Sequence, residues 1–243
     1  MILSRIKRRL KKIILGQQEN QESSGYGRTS YAQEGEDVLL WRILDAQHSR
    51  IGTYVEVGSN HPWRCSNTAF FYLQGWSGVA IDPNPDFAIP FRSERTRDIF
   101  LNVGISDTPE TLTYHRFPES LYNTFCSDKA KQLVNSGIMP EPEKVDVPVM
   151  RLRDALAQVW PAGKKLDLLS IDAEGFDERI VKSHDFEMYP ARFVIIEFES
   201  TLISVGITEP LVGLLQDRGF LFISKLWKSG LFVHQSAAGE FGI

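Results

Sequence analysis

Little in this chain of 243 residues points to stapling, metal ligation or membrane crossing. Only Cys65 and Cys126 represent cysteine, too few for a disulfide framework and in no metal-ligand spacing, so a reducing compartment is expected and no metal centre is assigned. No apolar run reaches the roughly eighteen residues needed to span a bilayer, and charges interrupt the apolar stretch near the start, which argues against a signal peptide. Excess positive charge is missing as well: the net charge is −4, and without the first fifteen residues 21 basic side chains face 31 acidic ones. That balance of −10 excludes a body that binds nucleic acid by bulk charge. No internal repeat is found.

Glycine is scarce where a dinucleotide-binding loop would need it. Thr53-Tyr54-Val55-Glu56-Val57-Gly58-Ser59-Asn60 reads as a buried parallel strand breaking at a tight turn, the place where open α/β sheets put ligands. Two of the three glycines of Gly-x-Gly-x-x-Gly are absent, Pro62 stands where a further glycine would fall, and Glu56 adds negative charge. A diphosphate is poorly served there, whereas a nucleoside with a cationic head is better served. Twenty-six residues after Glu56, the strand Gly78-Val79-Ala80-Ile81 ends on Asp82, a carboxylate suited to a vicinal diol such as a ribose.

With 42% hydrophobic and 24% charged residues the composition is ordinary for a globular protein. Residues 1–15 form a basic amphipathic pattern, with Ile2, Leu3, Ile6, Leu10, Ile13 and Ile14 on one arc and six Lys or Arg mostly opposite. Peripheral contact with an anionic membrane through residues 2–15, or packing on the domain or a partner, both suit it. Residues 16–29 read as a flexible linker, and 30–243 as the folded domain.

From there the pattern alternates strand and helix. A helix is expected after Glu36 and Asp37, and another after Ser66-Asn67-Thr68. Strands are expected over Asp98–Ile105, Thr111–Phe117, Val145–Met150, Leu166–Asp172 and Arg192–Phe198, with helices at Arg151–Trp160, Ala173–Val181 and Leu211–Arg218. Leu221–Ser224 and Leu231–His234 close the chain as a strand pair. The order predicts an α/β fold, a Rossmann-like doubly wound, mostly parallel sheet with an antiparallel terminal hairpin. Ser120–Glu143, polar and broken by Gly137, Pro140 and Pro142, reads as an insertion over the sheet edge, either a lid on the acceptor pocket or a passive excursion.

The second informative stretch is Ser170-Ile171-Asp172-Ala173-Glu174-Gly175. Asp172 and Glu174 either cap the next helix or face the crevice that Glu56 and Asp82 border. Three acid-ended strands on one sheet edge repel one another unless a cation or polyhydroxylated ligand lies among them. A divalent metal held by Asp172 and another strand-end acid is compatible with hard oxygen ligands, though no spacing supports it.

Together, Ser30-Tyr31-Ala32-Gln33-Glu34-Gly35-Glu36-Asp37, Val55 to Asn60, Ser66-Asn67-Thr68, Asn102-Val103-Gly104-Ile105-Ser106 and Ser170 to Gly175 resemble FkbM-type methyltransferases. The resemblance spans residues 30 to about 200. It implies a Rossmann-like fold that binds S-adenosyl-L-methionine and transfers its methyl to a hydroxyl of a sugar, glycan, glycolipid or secondary metabolite. By position it implies Glu56, Gly58 and Asn60 as the methionine-side loop, Asp82 as the ribose ligand, and Asn102 with Val103 as the adenine edge. Asp172 and Glu174 fall on the acceptor side, as the catalytic pair. The chain departs from many members at Pro62, where they carry glycine, and at Ala173, where valine is frequent.

The expected function is therefore a cytoplasmic O-methyltransferase, at the inner membrane surface if the basic helix engages lipid. In-line transfer makes positioning the main task, and a carboxylate or His accepting the hydroxyl proton would add to it. His184 and His61 are weaker candidates, with a helix-end and an exposed-loop role as their simpler readings. The alternatives are a non-catalytic membrane-associated assembly factor and an NAD-dependent oxidoreductase.

Overall fold

A computed structural model of the chain describes residues 28–44, 51–161, 163–202, 204 and 208–243. The basic helix over 1–15 and nearly all of the linker over 16–29 lie outside the described residues. The main sheet is built from β1 (Thr53–Val57), β2 (Ser77–Ile81), β3 (Ile99–Leu101), β7 (Leu166–Ile171), β8 (Ala191–Glu197), β9 (Phe220–Lys225) and β10 (Ser229–His234). Their spatial order is β3-β2-β1-β7-β8-β10-β9, parallel up to β8, with β10 antiparallel to both β8 and β9. This is the expected Rossmann-like doubly wound sheet with an antiparallel terminal hairpin. The order reverses between β1 and β7, so the crevice at their carboxyl ends is the switch point where such sheets bind ligands.

The central strands are apolar because helices cover both faces. Val55, Val57, Leu169, Ile171, Val194 and Ile196 point to one face, against α5 (Leu152–Val159), α6 (Asp177–Ser183) and α7 (Pro210–Gln216). Tyr54, Leu168, Phe193 and Ile195 point to the other, against α1 (Glu36–Leu44), α2 (Ala69–Leu73) and α8 (Gln235–Ala238). At the β2–β3 edge, α3 (Ala88–Glu94) lays Phe91 on Phe100 and Ala80.

The strand expected over Asp98–Ile105 is in fact two. After β3 the chain leaves the main sheet, and β4 (Gly104–Ile105) pairs instead with β6 (Glu143–Met150). With β5 (Glu110–Arg116) these form a separate three-stranded sheet, order β4-β6-β5, which the sequence reading did not anticipate. The segment between β5 and β6, expected as an insertion, carries α4 (Ser127–Asn135). Among the described residues no helix is long and apolar enough to cross a membrane.

Glu36 and Asp37 do more than sit in the first turn of α1. Both are buried. Asp37 accepts from the Tyr31 and Val38 amides at 2.7 Å each and from Ser30 Oγ at 2.6 Å, while Glu36 accepts from Ser229 Oγ at 2.6 Å. They fasten the segment before α1 to the sheet.

Candidate active site

The cavity at the switch point has an empty volume of about 740 Å³, counting its open mouth. The β1 turn supplies Gly58, Asn60 and Cys65. Gly58, at φ +77°, lets the amides of Gly58 and Ser59 both reach the Ile81 carbonyl, at 2.9 and 3.1 Å, which bends the turn over the end of β2. Asp172 N in turn donates to the Val57 carbonyl at 3.0 Å, so the ends of β1, β2 and β7 form one rim.

Asp82 lies on that rim, buried and lining the cavity. One carboxylate oxygen accepts from Asn60 N at 2.9 Å and the other from Asn84 N at 2.8 Å. Each oxygen keeps a lone pair for a further donor, as a diol would need. Burial raises its pKa to about 6, offset in part by those two amides. Val103, Ile105, Tyr114, Phe125, Phe176 and Ile180 give the cavity an apolar wall of the kind a nucleobase requires.

Three non-glycine residues have positive φ among the described residues: Asn60 (45°), Cys65 (53°) and Glu174 (50°). All three line this cavity. Such backbone is uncommon outside glycine and tends to gather at functional sites, where the surroundings hold it in place. Pro62 keeps a negative φ, and the left-handed turn falls at Asn60 instead. The segment after β5 braces the turn from above. Ser120 Oγ donates to Asn60 Oδ1 at 3.1 Å, and Arg64 pairs with Glu119 through two bonds of 3.0 and 2.9 Å.

Asp172 and Glu174 also line the cavity. They do not cap a helix, since α6 begins only at Asp177. It is Asp177 that accepts from the amides of Ala173 (3.1 Å) and Gly175 (3.2 Å), shaping the loop. Burial, and then the Glu197 charge, raise the Asp177 pKa to about 7. Glu197, at the end of β8, completes a set: one oxygen from each of Asp172, Glu174 and Glu197 falls within 4.8 Å of the others. Lys129 from α4 contacts the Glu174 carboxylate and lies 3.8 Å from that of Glu197, which also receives Lys228 at 2.9 Å. A divalent cation would find three oxygen donors here, but Lys129 already supplies positive charge to the group. Burial disfavours the Lys129 charge, yet the Glu174 and Glu197 carboxylates outweigh it and raise its pKa to about 12. Among the described residues Asp172 makes no ion pair of its own, and the Lys129 charge offsets its surroundings only in part. Burial, with the charges of Glu197, Glu174 and Asp177, pushes its carboxyl well above the usual carboxylate range.

Two residues expected at the cofactor do not line the cavity. Glu56 shares its strand face with Tyr54 and turns away from the crevice, where it accepts from Ser66 Oγ (3.1 Å) and Thr68 Oγ1 (2.6 Å). Its charge faces Arg95 at 3.7 Å. Arg95, wholly buried, also donates to the Pro62 carbonyl at 3.2 Å and to Thr68 Oγ1 at 2.7 Å, and pairs with Asp98 at 2.7 Å. Glu56 and Arg95 thus hold the turn from behind. Asn102 is exposed and donates to the Asp82 carbonyl at 2.9 Å, fixing the end of β2, whereas its neighbour Val103 does line the cavity.

The histidines stand aside. His184 ends α6, buried, with Nε2 at 2.9 Å from the Tyr189 carbonyl, and burial lowers its pKa to about 4. It is neutral at physiological pH and cannot serve the helix dipole as a cation. His61 accepts from Trp63 N at 3.2 Å within its own turn.

An open α/β sheet with a carboxylate at the end of β2, a glycine turn after β1 and paired acids after β7 defines a Rossmann-like nucleoside-binding domain. More narrowly, the chain belongs to the FkbM methyltransferase family: the profile described as the methyltransferase FkbM domain matches residues 56–222. Among curated proteins it is 30% identical over 139 residues to the methyltransferase sdnD of Sordaria araneosa, covering 49% of this chain and 52% of that protein. The chain therefore spans about half the length of that relative. Similar solved structures include a TehB-like SAM-dependent methyltransferase from Corynebacterium glutamicum, at 9% identity and a TM-score of 0.40, covering 96% of this chain and 97% of that one. Monomeric WbdD is another, at 10% identity and a TM-score of 0.45, covering 92% of this chain and 48% of that one.

Proposed function

We propose that the protein is an S-adenosylmethionine-dependent O-methyltransferase that acts on a hydroxyl group of a sugar, glycan or related acceptor. The observation that carries this reading is that one cavity is lined by Asp82, by an apolar wall and by Asp172 with Glu174. The residues present suit the cofactor. Asp82 would take the ribose diol, Val103, Ile105 and Phe125 the adenine, and the turn from Gly58 to Asn60 the methionine end. Bound there, the cofactor supplies an electrophilic methyl on a cationic sulfur. The chain's own residues orient the acceptor and handle its proton.

Asp172 is the base of choice. A hydroxyl is a poor nucleophile at neutral pH, and a base whose pKa has risen toward the working pH removes its proton most effectively. Glu174, tied to Lys129, is better suited to orienting the acceptor and to balancing charge. The apolar wall and the bracing segment from Phe117 to Cys126 keep water from competing with the acceptor.

Calorimetric titration with S-adenosylmethionine, S-adenosylhomocysteine and NAD tests the reading. Binding of both sulfur nucleosides but not NAD, weakened by Asp82→Ala, is the expected result. Binding of NAD alone would favour an oxidoreductase, and binding of none would remove the catalytic reading.

A further inference from the structure

A second cavity adjoins the first across the loop between β7 and α6. It has an empty volume of about 840 Å³, counting its mouth, and Asp128, Lys129, Gln132, Glu197, Glu199 and Lys228 provide most of its polar lining. The two cavities share a thin partition. Phe125, Glu174 and Phe176 line the first, while their neighbours Cys126, Gly175 and Asp177 line the second. Thr124 Oγ1 ties the two segments of the partition together by donating to the Glu174 carbonyl at 2.8 Å.

Two side-chain pairs cross that partition. Glu174 lines the first cavity, and its partner Lys129 lines the second. Asp172 lines the first and Glu197 the second, with carboxylate oxygens within 4.8 Å. The carboxylate cluster is thus where the two cavities meet, and a ring held by Glu197 and Lys129 in the second lies one side chain away from Asp172.

We propose that this second cavity is the acceptor subsite and that it takes an uncharged polyhydroxylated ring. The inference rests on the methyltransferase reading above, and it adds the place where the acceptor sits and the residues that select it. The lining chemistry favours that class. Lys129 and Lys228 are already paired with Glu174 and Glu197, so a charged acceptor would have to break ion pairs, whereas hydroxyls can join them as donor and acceptor. Gln132 is exposed and makes no side-chain hydrogen bond among the described residues, which leaves an amide donor and acceptor for the ring. Apolar contact comes mainly from Phe198 and Cys126, too little for a lipid chain or a fused aromatic system.

The two cysteines allow each cavity to be tested separately, because Cys65 lines the first and Cys126 the second. The full chain is alkylated with N-ethylmaleimide, and modification of each cysteine is followed by peptide mass spectrometry. S-adenosylhomocysteine should slow Cys65 and leave Cys126 unaffected. A panel of methyl hexopyranosides should include a member that slows Cys126, about fourfold at three times its dissociation constant, since the free fraction falls to about a quarter. Gln132→Ala together with Lys228→Met should remove that protection while keeping the effect of S-adenosylhomocysteine on Cys65.

If no glycoside slows Cys126 while S-adenosylhomocysteine still slows Cys65, the subsite is wrong and the cofactor reading stands. Protection of Cys126 by glucuronate or hexanoate in place of the neutral sugars would overturn the ligand class. Equal protection of both cysteines by S-adenosylhomocysteine would make the two cavities one cofactor site and also overturn the proposal. Glycoside protection of Cys126 without any effect of S-adenosylhomocysteine on Cys65 would keep the ligand class but sink the cofactor reading, and the acceptor role with it.

Discussion

The main-chain oxygen of Asp172 occupies the space where a side chain on Gly58 would begin: a Cβ built on Gly58 meets that oxygen at 1.7 Å. The turn that would hold the cofactor and the loop that carries the acids are therefore packed directly on each other. Gly58→Ala has no conformation that avoids the clash, because its φ of +77° disfavours any side chain as well. The expected cost is about 2–4 kcal/mol of stability, with loss of S-adenosylmethionine binding. Denaturant unfolding and calorimetry check the two effects independently.

Asp172→Asn keeps the size of the side chain and removes the proposed base. Turnover should fall by about 10² to 10⁴ while S-adenosylhomocysteine binds as before. Retained turnover would take the proton-accepting role away from Asp172.

Lys129→Met removes the cation that contacts Glu174 and lies 3.8 Å from the Glu197 carboxylate. The sign follows from the charges: without the ammonium, neighbouring carboxyls hold their protons to higher pH. The rising acidic limb of the turnover profile should therefore move to higher pH, and a profile that stays in place would mean that Lys129 does not act on the base.

Asp177 gives a pH dependence of stability. Its folded pKa of about 7 lies above the ordinary 3.8, so the folded state binds the extra proton between those values. Its contribution is complete below about pH 4 and is lost as pH rises through about 7, by roughly 2–4 kcal/mol at most. Asp177→Asn lacks this loss. The stability gap between the two proteins, read from urea midpoints, should shift in favour of the variant across that window and stay constant above it.

Arg95→Lys tests the support behind the turn. A lysine cannot serve Pro62, Thr68 and Asp98 together, and it leaves Glu56 and Asp98 buried and poorly matched. A loss of about 3–5 kcal/mol is expected in chemical denaturation.

Much of this was legible in the sequence because parallel strands buried on both faces read as apolar runs, and their acidic ends mark one sheet edge. That pattern places Asp82, Asp172 and Glu174 at the crevice, and all three line its cavity. Glu56 was assigned to the crevice because it too ends an apolar run, although alternation places it on the face of Tyr54, opposite Val55 and Val57. Arg95 sits in a polar stretch with no pattern to mark it. Glu197 falls near the end of the strand expected over Arg192–Phe198, but its meeting with Asp172 depends on register: Ile171 pairs with Ile196, so the next residue on each strand emerges side by side. The three-stranded sheet was missed because β4 has only two residues, too few for a period.

Lys129 does not come from the layers that make the sheet and its helices. It is carried by α4, on the stretch between β5 and β6, yet it lies against acids that belong to β7 and β8. The proton affinity of the acid cluster is thus partly written in a peripheral segment. On the proposed assignment, a relative that exchanged this stretch for another would inherit a different acceptor pocket and a different working pH in one step, so the two traits would be expected to diverge together.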